Sequence, residues 1–233
     1  MIIILSHTKT IKKSHYDNKQ APIFNEKAKQ LINRLRTFDK ESLKYIYNVN
    51  DNILEKLILD INSFGEHLQK VAYSYDGLVF KYFDVTNFNE EEYNFANNHI
   101  IILSAMYGVL KLSDSISNYR LDLNNSIGID LKKFWYDDIN SQFNNEIIVN
   151  LASKEYASLI DYKKNKVIDI KFLTKKNNEY KSISTQCKIL RGVMAQYIVK
   201  NRINEISLIK EFNYNGYKYD PKLSSDEVYV FTN

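Results

Sequence analysis

Three places in the chain set hydroxyl-bearing and ionisable residues directly after a short β-branched run. Met1-Ile2-Ile3-Ile4-Leu5 leads into Ser6-His7-Thr8-Lys9-Thr10. Ile100 to Leu103 leads into Ser104, then Tyr107-Gly108 and a second apolar step, Val109-Leu110. Ile147 to Leu151, which contains Asn150, leads into Ala152-Ser153-Lys154-Glu155-Tyr156. Apolar runs of this length bounded by turn formers fit strands buried on both faces. Polar groups just past the ends of such strands are where ligands sit in open α/β sheets. If the three strands are parallel neighbours, Ser6, Ser104 and Ser153 fall along one edge of the sheet, and Lys9, Tyr107, Asn150 and Tyr156 converge on one crevice. Tyr119-Arg120 follows in the polar loop beyond the second run. In such a crevice Lys9 and Arg120 could hold a phosphate, Tyr107 could stack or donate, and Glu155 could act as a base. Ser153 and Tyr156 would lie over the first turn of a short helix, where free amides attract anions. Serine also ends strands simply because it favours turns, so the pattern names no reaction. The sequence has no Walker loop and no nucleophile–base pair, and catalytic residues stay unassigned.

The elements that must position these groups are legible in outline. Phe24 to Phe38 repeats apolar residues at three and four, as an amphipathic helix does. Ser42 to Asn48 gives a short helix and Asn50 to Phe64 another, with Asn50 or Asp51 as its cap and Gly65 at its end. Two helices joined by a short turn could bind nucleic acid, but Glu41 to Phe64 holds four acids against Lys44 and Lys56, and no glycine lies between Ser42 and Phe64. Val71 to Phe83 is aromatic and β-branched around Asp76-Gly77 and reads as a hairpin or two edge strands. A short helix follows through Asn97, and Asp130 to Phe143 forms another with Leu131, Phe134, Trp135 and Ile139 inside. Lys166 to Leu173 alternates like a half-exposed strand, with Tyr180 to Gln186 as its partner. The longest helix, Cys187 to Asn204, places Leu190, Val193, Met194, Tyr197 and Asn201 on one face and Lys188, Arg191 and Arg202 on the other. Arg191 and Arg202 would stand about 16 Å apart at the helical rise, enough to span two or three phosphates. Ile11 to Gln20 is polar and reads as a loop. Gly216 to Tyr219 and Val228 to Phe231 form a last strand pair. Together these give an α/β fold in a single domain, residues 1–233: a mixed sheet with buried central strands, surrounding helices, and a basic cleft at the strand ends.

Composition narrows the class. With 233 residues, only 2 Pro and 6 Gly, the chain shows no linker. No apolar run approaches the ~20 residues that span a bilayer, and no basic segment precedes the first apolar run, so a membrane protein and a secretory signal are not expected. The single Cys187 excludes an intramolecular disulfide. These features point to the cytoplasm. The four histidines, 7, 15, 67 and 99, lack metal-ligand spacing, so no metal or other cofactor is expected and iron sequestration is the weakest of three readings. The net charge of +4 is small, but its distribution is uneven. From Asp161 to Arg202 there are eleven Lys or Arg against three acids, whereas Asp84 to His99 has four acids and no Lys or Arg. A basic half is the electrostatic footprint of a nucleic-acid binder; a solvated lysine-rich surface looks the same.

The motifs in order resemble the YaaA family of bacterial peroxide-stress proteins over nearly the full chain. Ser6-x-x-Lys9-Thr10 is similar to the family's SPAKT. Leu103-Ser104-x-x-Tyr107-Gly108-Val109-Leu110, Asp114 and Tyr119-Arg120-Leu121 are similar to LSGLYGVLRPLD…YRLEM. Phe134-Trp135 and Asn150-Leu151-Ala152-Ser153-x-Glu155-Tyr156 are similar to FW…NLASDEY. Arg191-Gly192-x-Met194 with Asn201-Arg202 is similar to ARGLMSRF…NR. The resemblance implies a cytoplasmic protein that limits hydrogen peroxide damage, is associated with lower free iron, and binds double-stranded DNA in a basic cleft, with no established reaction. A monomer is expected. The chain departs from the family pattern at His7-Thr8, in place of Pro-Ala, at Leu112-Ser113 and Asn118, in place of prolines, and at Gln196, in place of arginine. The family's proposed helix-hairpin-helix falls near Tyr47 to Phe64, in the acidic stretch without glycine. An enzyme acting on a nucleotide or nucleic-acid phosphate in the same cleft is the alternative.

Overall fold

The first apolar run becomes the middle of a sheet. In the computed structural model, which describes residues 1–14 and 20–233, β1 (Ile2–Ser6) precedes a helical layer of α1 (Asn25–Leu35), α2 (Lys40–Tyr47) and α3 (Asp51–Asn62). Next come β2 (Gln69–Lys70), α4 (Val71–Ser74), α5 (Leu78–Phe83), a 3-10 turn (Val85–Asn87) and α6 (Glu90–His99). The centre of the chain supplies β3 (Ile100–Ser104), β4 (Gly108–Leu110), β5 (Ser115–Ile116), α7 (Leu131–Asn140), β6 (Ile148–Asn150) and α8 (Lys154–Ala157). The last third holds β7 (Val167–Lys176), β8 (Glu179–Lys181), α9 (Ser184–Lys200), a 3-10 helix (Ile206–Glu211), β9 (Asn213–Tyr214), β10 (Tyr217–Tyr219) and β11 (Val228–Thr232). The sheet order is β4-β3-β1-β6-β7-β11-β10-β9, with β8 on β7, and β2 pairs β5 separately. Five strands run parallel, in the spatial order β3-β1-β6-β7-β11. β4, β10 and β9 add antiparallel edges. This is a single-domain α/β architecture with a mixed sheet. Among the described residues no helix is long and apolar enough to cross a membrane. The polar stretch read as a loop before Gln20, with His15, falls partly outside the described residues.

The three β-branched runs do pair as parallel neighbours, with Ile3 and Ile4 opposite Ile100 and Ile101 on one side and Val149 and Asn150 on the other. Their side chains are buried on both faces, which is why the runs are continuous rather than alternating. The strand order also reverses here: the chain leaves β1 for β3 on one flank, then crosses to β6 on the other. Ligands gather at such a switch point, beyond the carboxyl ends of the strands.

Helix ends follow their caps. Asn50 accepts from the Ile53 amide to start α3, Asp130 accepts from Lys132 and Lys133 to start α7, and Asn89 with Glu92 forms a capping box on α6. Asn48 takes a left-handed conformation (φ 45°) between α2 and α3, so the helical hairpin turns without the glycine it would ordinarily use. One segment differs from its sequence reading. Residues 71–74 and 78–83 form α4 and α5, not a hairpin, with Val71 and Ser74, then Phe80 and Phe83, buried at a spacing of three, while Tyr75 between them is extended. Burial period outweighs the β preference of aromatic residues.

The longest helix also differs. α9 ends at Lys200, so Asn201 and the left-handed Arg202 (φ 48°) lie beyond it, and it buries Leu190, Met194 and Ile198 with Gly192, Ala195 and Val199, while Val193 and Tyr197 are half-buried and Asn201 is exposed, because it packs on both α5 and the sheet. Gly192 permits the close approach: a Cβ there would lie 2.2 Å from the Val79 carbonyl oxygen and 2.9 Å from Tyr82. Gly192→Val is expected to cost about 3 kcal/mol through overpacking, read as a lowered urea midpoint; an unchanged midpoint would show that α5 and α9 yield freely.

Candidate functional site

The loop after β1 is held from both sides before any ligand is considered. Ser153 donates its amide to the Ser6 hydroxyl at 2.8 Å, and the Ser6 hydroxyl donates to Ser153 Oγ at 3.2 Å, so the ends of β1 and β6 are stitched together. On the other side Ile11 bridges to Tyr75, and the Asp76 amide donates to the Thr10 carbonyl at 3.0 Å. Thr10 itself is exposed. Ser104, fully buried, accepts the amides of Met106 and Tyr107 and closes the β3–β4 turn. Trp135 donates its indole N–H to the Ala105 carbonyl at 2.8 Å across the same turn. Gly108 has φ 70°, and a Cβ there would strike that indole at 2.7 Å, so this glycine serves the turn.

Between these loops runs a chain of buried hydroxyls and one imidazole. The Tyr119 hydroxyl is hydrogen-bonded to Ser104 Oγ (2.8 Å), to the Tyr75 hydroxyl (2.6 Å) and to His7 Nδ1 (3.1 Å). The other nitrogen of His7 meets the Tyr156 hydroxyl at 2.5 Å and Asp122 Oδ1 at 3.4 Å. The rings of His7 and Tyr119 stack with centroids 5.5 Å apart. At the mouth, Lys9 forms an ion pair with Asp122 while its own side chain stays 55% exposed.

Electrostatics sorts the acids here. Burial pushes Asp122 up, but hydrogen bonds from His7 and Lys9, with their charges, outweigh it and hold this carboxyl below the usual range. Glu155 moves the opposite way: burial pushes it up and the charge of Asp122 adds to that, with Lys9 and His7 opposing. Burial likewise raises the phenols of Tyr75, Tyr119 and Tyr156, so they stay protonated. Two carboxyls driven apart in this way are the ordinary setting for acid–base work.

Several sequence-derived candidates sit elsewhere. Asn150 donates to Asp169 (2.6 Å) and Tyr162 (3.1 Å) and accepts the Ala152 amide, so its side chain serves β7 and the turn after β6 rather than the crevice. Tyr107 is buried, its hydroxyl accepts the Ser117 amide at 3.1 Å, and its ring stacks on Phe64. The first turn of α8 offers no free anion site at Tyr156, whose amide is taken by the Ser153 hydroxyl. On α9, Lys188 is exposed while burial pushes the Arg191 guanidinium down. Arg202 pairs with Glu91 at 2.5 Å, and Lys200 with Glu92 at 2.7 Å. The basic stretch and the acidic stretch of the sequence therefore meet and offset each other at the α6–α9 contact. Arg120, by contrast, joins Lys9: with Lys56, Asp60 and Asn118 they line one open cleft beside α3. Spacing did not reveal Asp122, Tyr75 or the role of His7. The available signal was an acid directly after Tyr119-Arg120-Leu121 and a histidine inside the Ser6–Thr10 segment.

Tyr119→Phe strips one hydroxyl from three partners and is expected to cost about 2 kcal/mol, measured by denaturant unfolding; a change within error would show that the network adds no stability. Asp122 is lower in the folded chain than its ordinary 3.8. Its contribution is therefore complete above that pH and is lost as pH falls through the folded value. Asp122→Asn is expected to flatten the fall in stability below pH ~4.

Known proteins match this chain over nearly its full length. The family model described as "Peroxide stress protein YaaA" matches residues 1–223. A UPF0246 protein of Francisella tularensis subsp. novicida (strain U112) is 33% identical over 254 aligned positions, covering 100% of both chains. A UPF0246 protein of Francisella philomiragia subsp. philomiragia is 34% identical over 256, again with full coverage of both. By motif order, length and identity, the chain belongs to the YaaA family of peroxide stress proteins, also termed UPF0246.

Proposed function

We propose that this protein acts in the peroxide stress response by binding double-stranded DNA in the cytoplasm, as a monomer, through the cleft where α3 meets the loops after β1 and β5. The observation that carries this reading is the convergence of Lys9, Lys56 and Arg120, from three distant parts of the chain, on one open cleft. Its wall is the second helix of the α2–α3 hairpin, whose turn is built on left-handed Asn48. Asp60 also lines the cleft, where burial pushes its carboxyl up and the charge of Lys56 opposes that. Cations condensed on a duplex are released when basic side chains replace them. Iron held on the phosphates would leave by the same exchange, which ties DNA binding to limiting iron-driven damage.

The contacts are phosphate contacts, so affinity follows salt rather than sequence. With three phosphates neutralised, the log–log slope of duplex affinity against salt is expected near −3, falling by about one for Lys56→Ala or Arg120→Ala and unchanged for Lys181→Ala on the distant β7–β8 hairpin. Absent binding at low salt, or an affinity indifferent to salt, would overturn the reading.

The opposed shifts of Asp122 and Glu155, which adjoin that cleft through Lys9, favour a second reading: an enzyme acting on a nucleotide or nucleic-acid phosphate. Turnover of a nucleotide or damaged duplex by the native chain, lost in Lys9→Ala, would support it; no turnover by either protein leaves binding alone.

A further inference from the structure

Glu155 is the misfit in an otherwise satisfied network. Its Oε1 is buried and, among the described residues, has no hydrogen-bond partner. A buried carboxylate oxygen left unpaired is costly, and the cost rises with a second carboxylate, Asp122, close by. The groups whose charges reach Glu155 are Asp122, Lys9 and His7 from the loops and Lys132 from α7, with the neutral phenol of Tyr156 beside it on its own helix. Lys9 is the movable member: its ammonium is paired with Asp122, yet more than half of its side chain is in solvent. The site also lies at the switch point between β1 and β6, where open sheets receive ligands.

We propose that this crevice binds a single phosphate group, with Lys9 leaving Asp122 to contact it and Glu155, in its acid form, donating a hydrogen bond from the carboxyl that now lacks a partner. The proposal rests on Lys9 as a phosphate ligand and adds a proton to the binding step. A carboxylic acid donating to an anionic oxygen makes a short, charge-assisted bond; the carboxylate would repel the same oxygen. Because Glu155 is raised, its acid form persists to higher pH than an ordinary glutamate's. Phosphate affinity therefore rises as pH falls.

Sulfate serves as the probe, since its charge is constant from pH 5 to 8. Titration calorimetry at fixed ionic strength is expected to show affinity falling about tenfold as pH rises over that range, with proton uptake on binding. Glu155→Gln donates at every pH and should bind as tightly as the native chain does at pH 5, without pH dependence. Glu155→Ala should bind weakly throughout. A native affinity independent of pH, a Glu155→Gln variant that keeps the native slope, or one as weak as Glu155→Ala would each overturn the proposal. Duplexes with 5′-phosphate and 5′-hydroxyl ends identify the source: equal affinity marks a backbone diester, and tighter binding of the 5′-phosphate marks a monoester. If salt-sensitive duplex binding persists while Glu155 changes nothing, the DNA reading stands and this proposal falls; if sulfate binds with the expected pH profile but duplex does not, the reverse holds.

Discussion

The parallel pairing of β1 with both β3 and β6 is the constraint on which the molecule rests. It puts the first strand in the centre of the sheet, buries Ile3, Ile4 and Leu5 completely, and forces the chain to reverse its direction of travel across the sheet. The site is a by-product of that reversal. Loops after neighbouring strands that connect in opposite directions leave a crevice between them, and here the Ser6–Ser153 bonds tie the ends of β1 and β6 together. His7, Lys9, Glu155 and Tyr156 are brought together by the sheet and not by any local motif.

One of the positions that depart from the motif the chain resembles is also the hub of the buried network. Where the family motif has proline, this chain has His7, whose two nitrogens engage Tyr119 and Tyr156. A proline there could offer neither contact, so the tyrosine hydroxyls would need other partners. The imidazole fills that role while holding Asp122 as a carboxylate, and Asp122 in turn holds Lys9. The hydrogen-bond chain thus runs from a dry interior at Ser104 and Tyr75 to a solvent-exposed cation, each link fixing the orientation of the next.

The sequence was most readable where a single physical signal dominated. Three continuous β-branched runs gave three buried strands because burial on both faces erases alternation. Asn50, Asp130 and Asn89 marked helix starts because their side chains cap amides only there. The segment 71–83 misled because Tyr, Phe and Val favour strands intrinsically, while the buried spacing of Val71, Ser74, Phe80 and Phe83 is set by packing that no local rule contains. Charge was the least legible. The basic stripe of α9 is a property of a helix, but Arg202 and Lys200 find their acids on α6, about a hundred residues away in sequence. Lys9 and Arg120 were readable as candidates, yet the acid that joins Lys9 to His7 is one among 28 acidic residues, distinguished only by where the loop carries it.

The central place of β1 also sets a timetable. Its neighbours lie about a hundred and about a hundred and fifty residues further along the chain, so closing them requires long loops whose entropy is lost before any pairing is gained. During synthesis at roughly 5–20 residues per second, β1 waits on the order of ten seconds for β6. A hydrophobic edge exposed for that interval needs cover, from the nascent helical layer or from a chaperone, and the crevice cannot exist until β6 has been made.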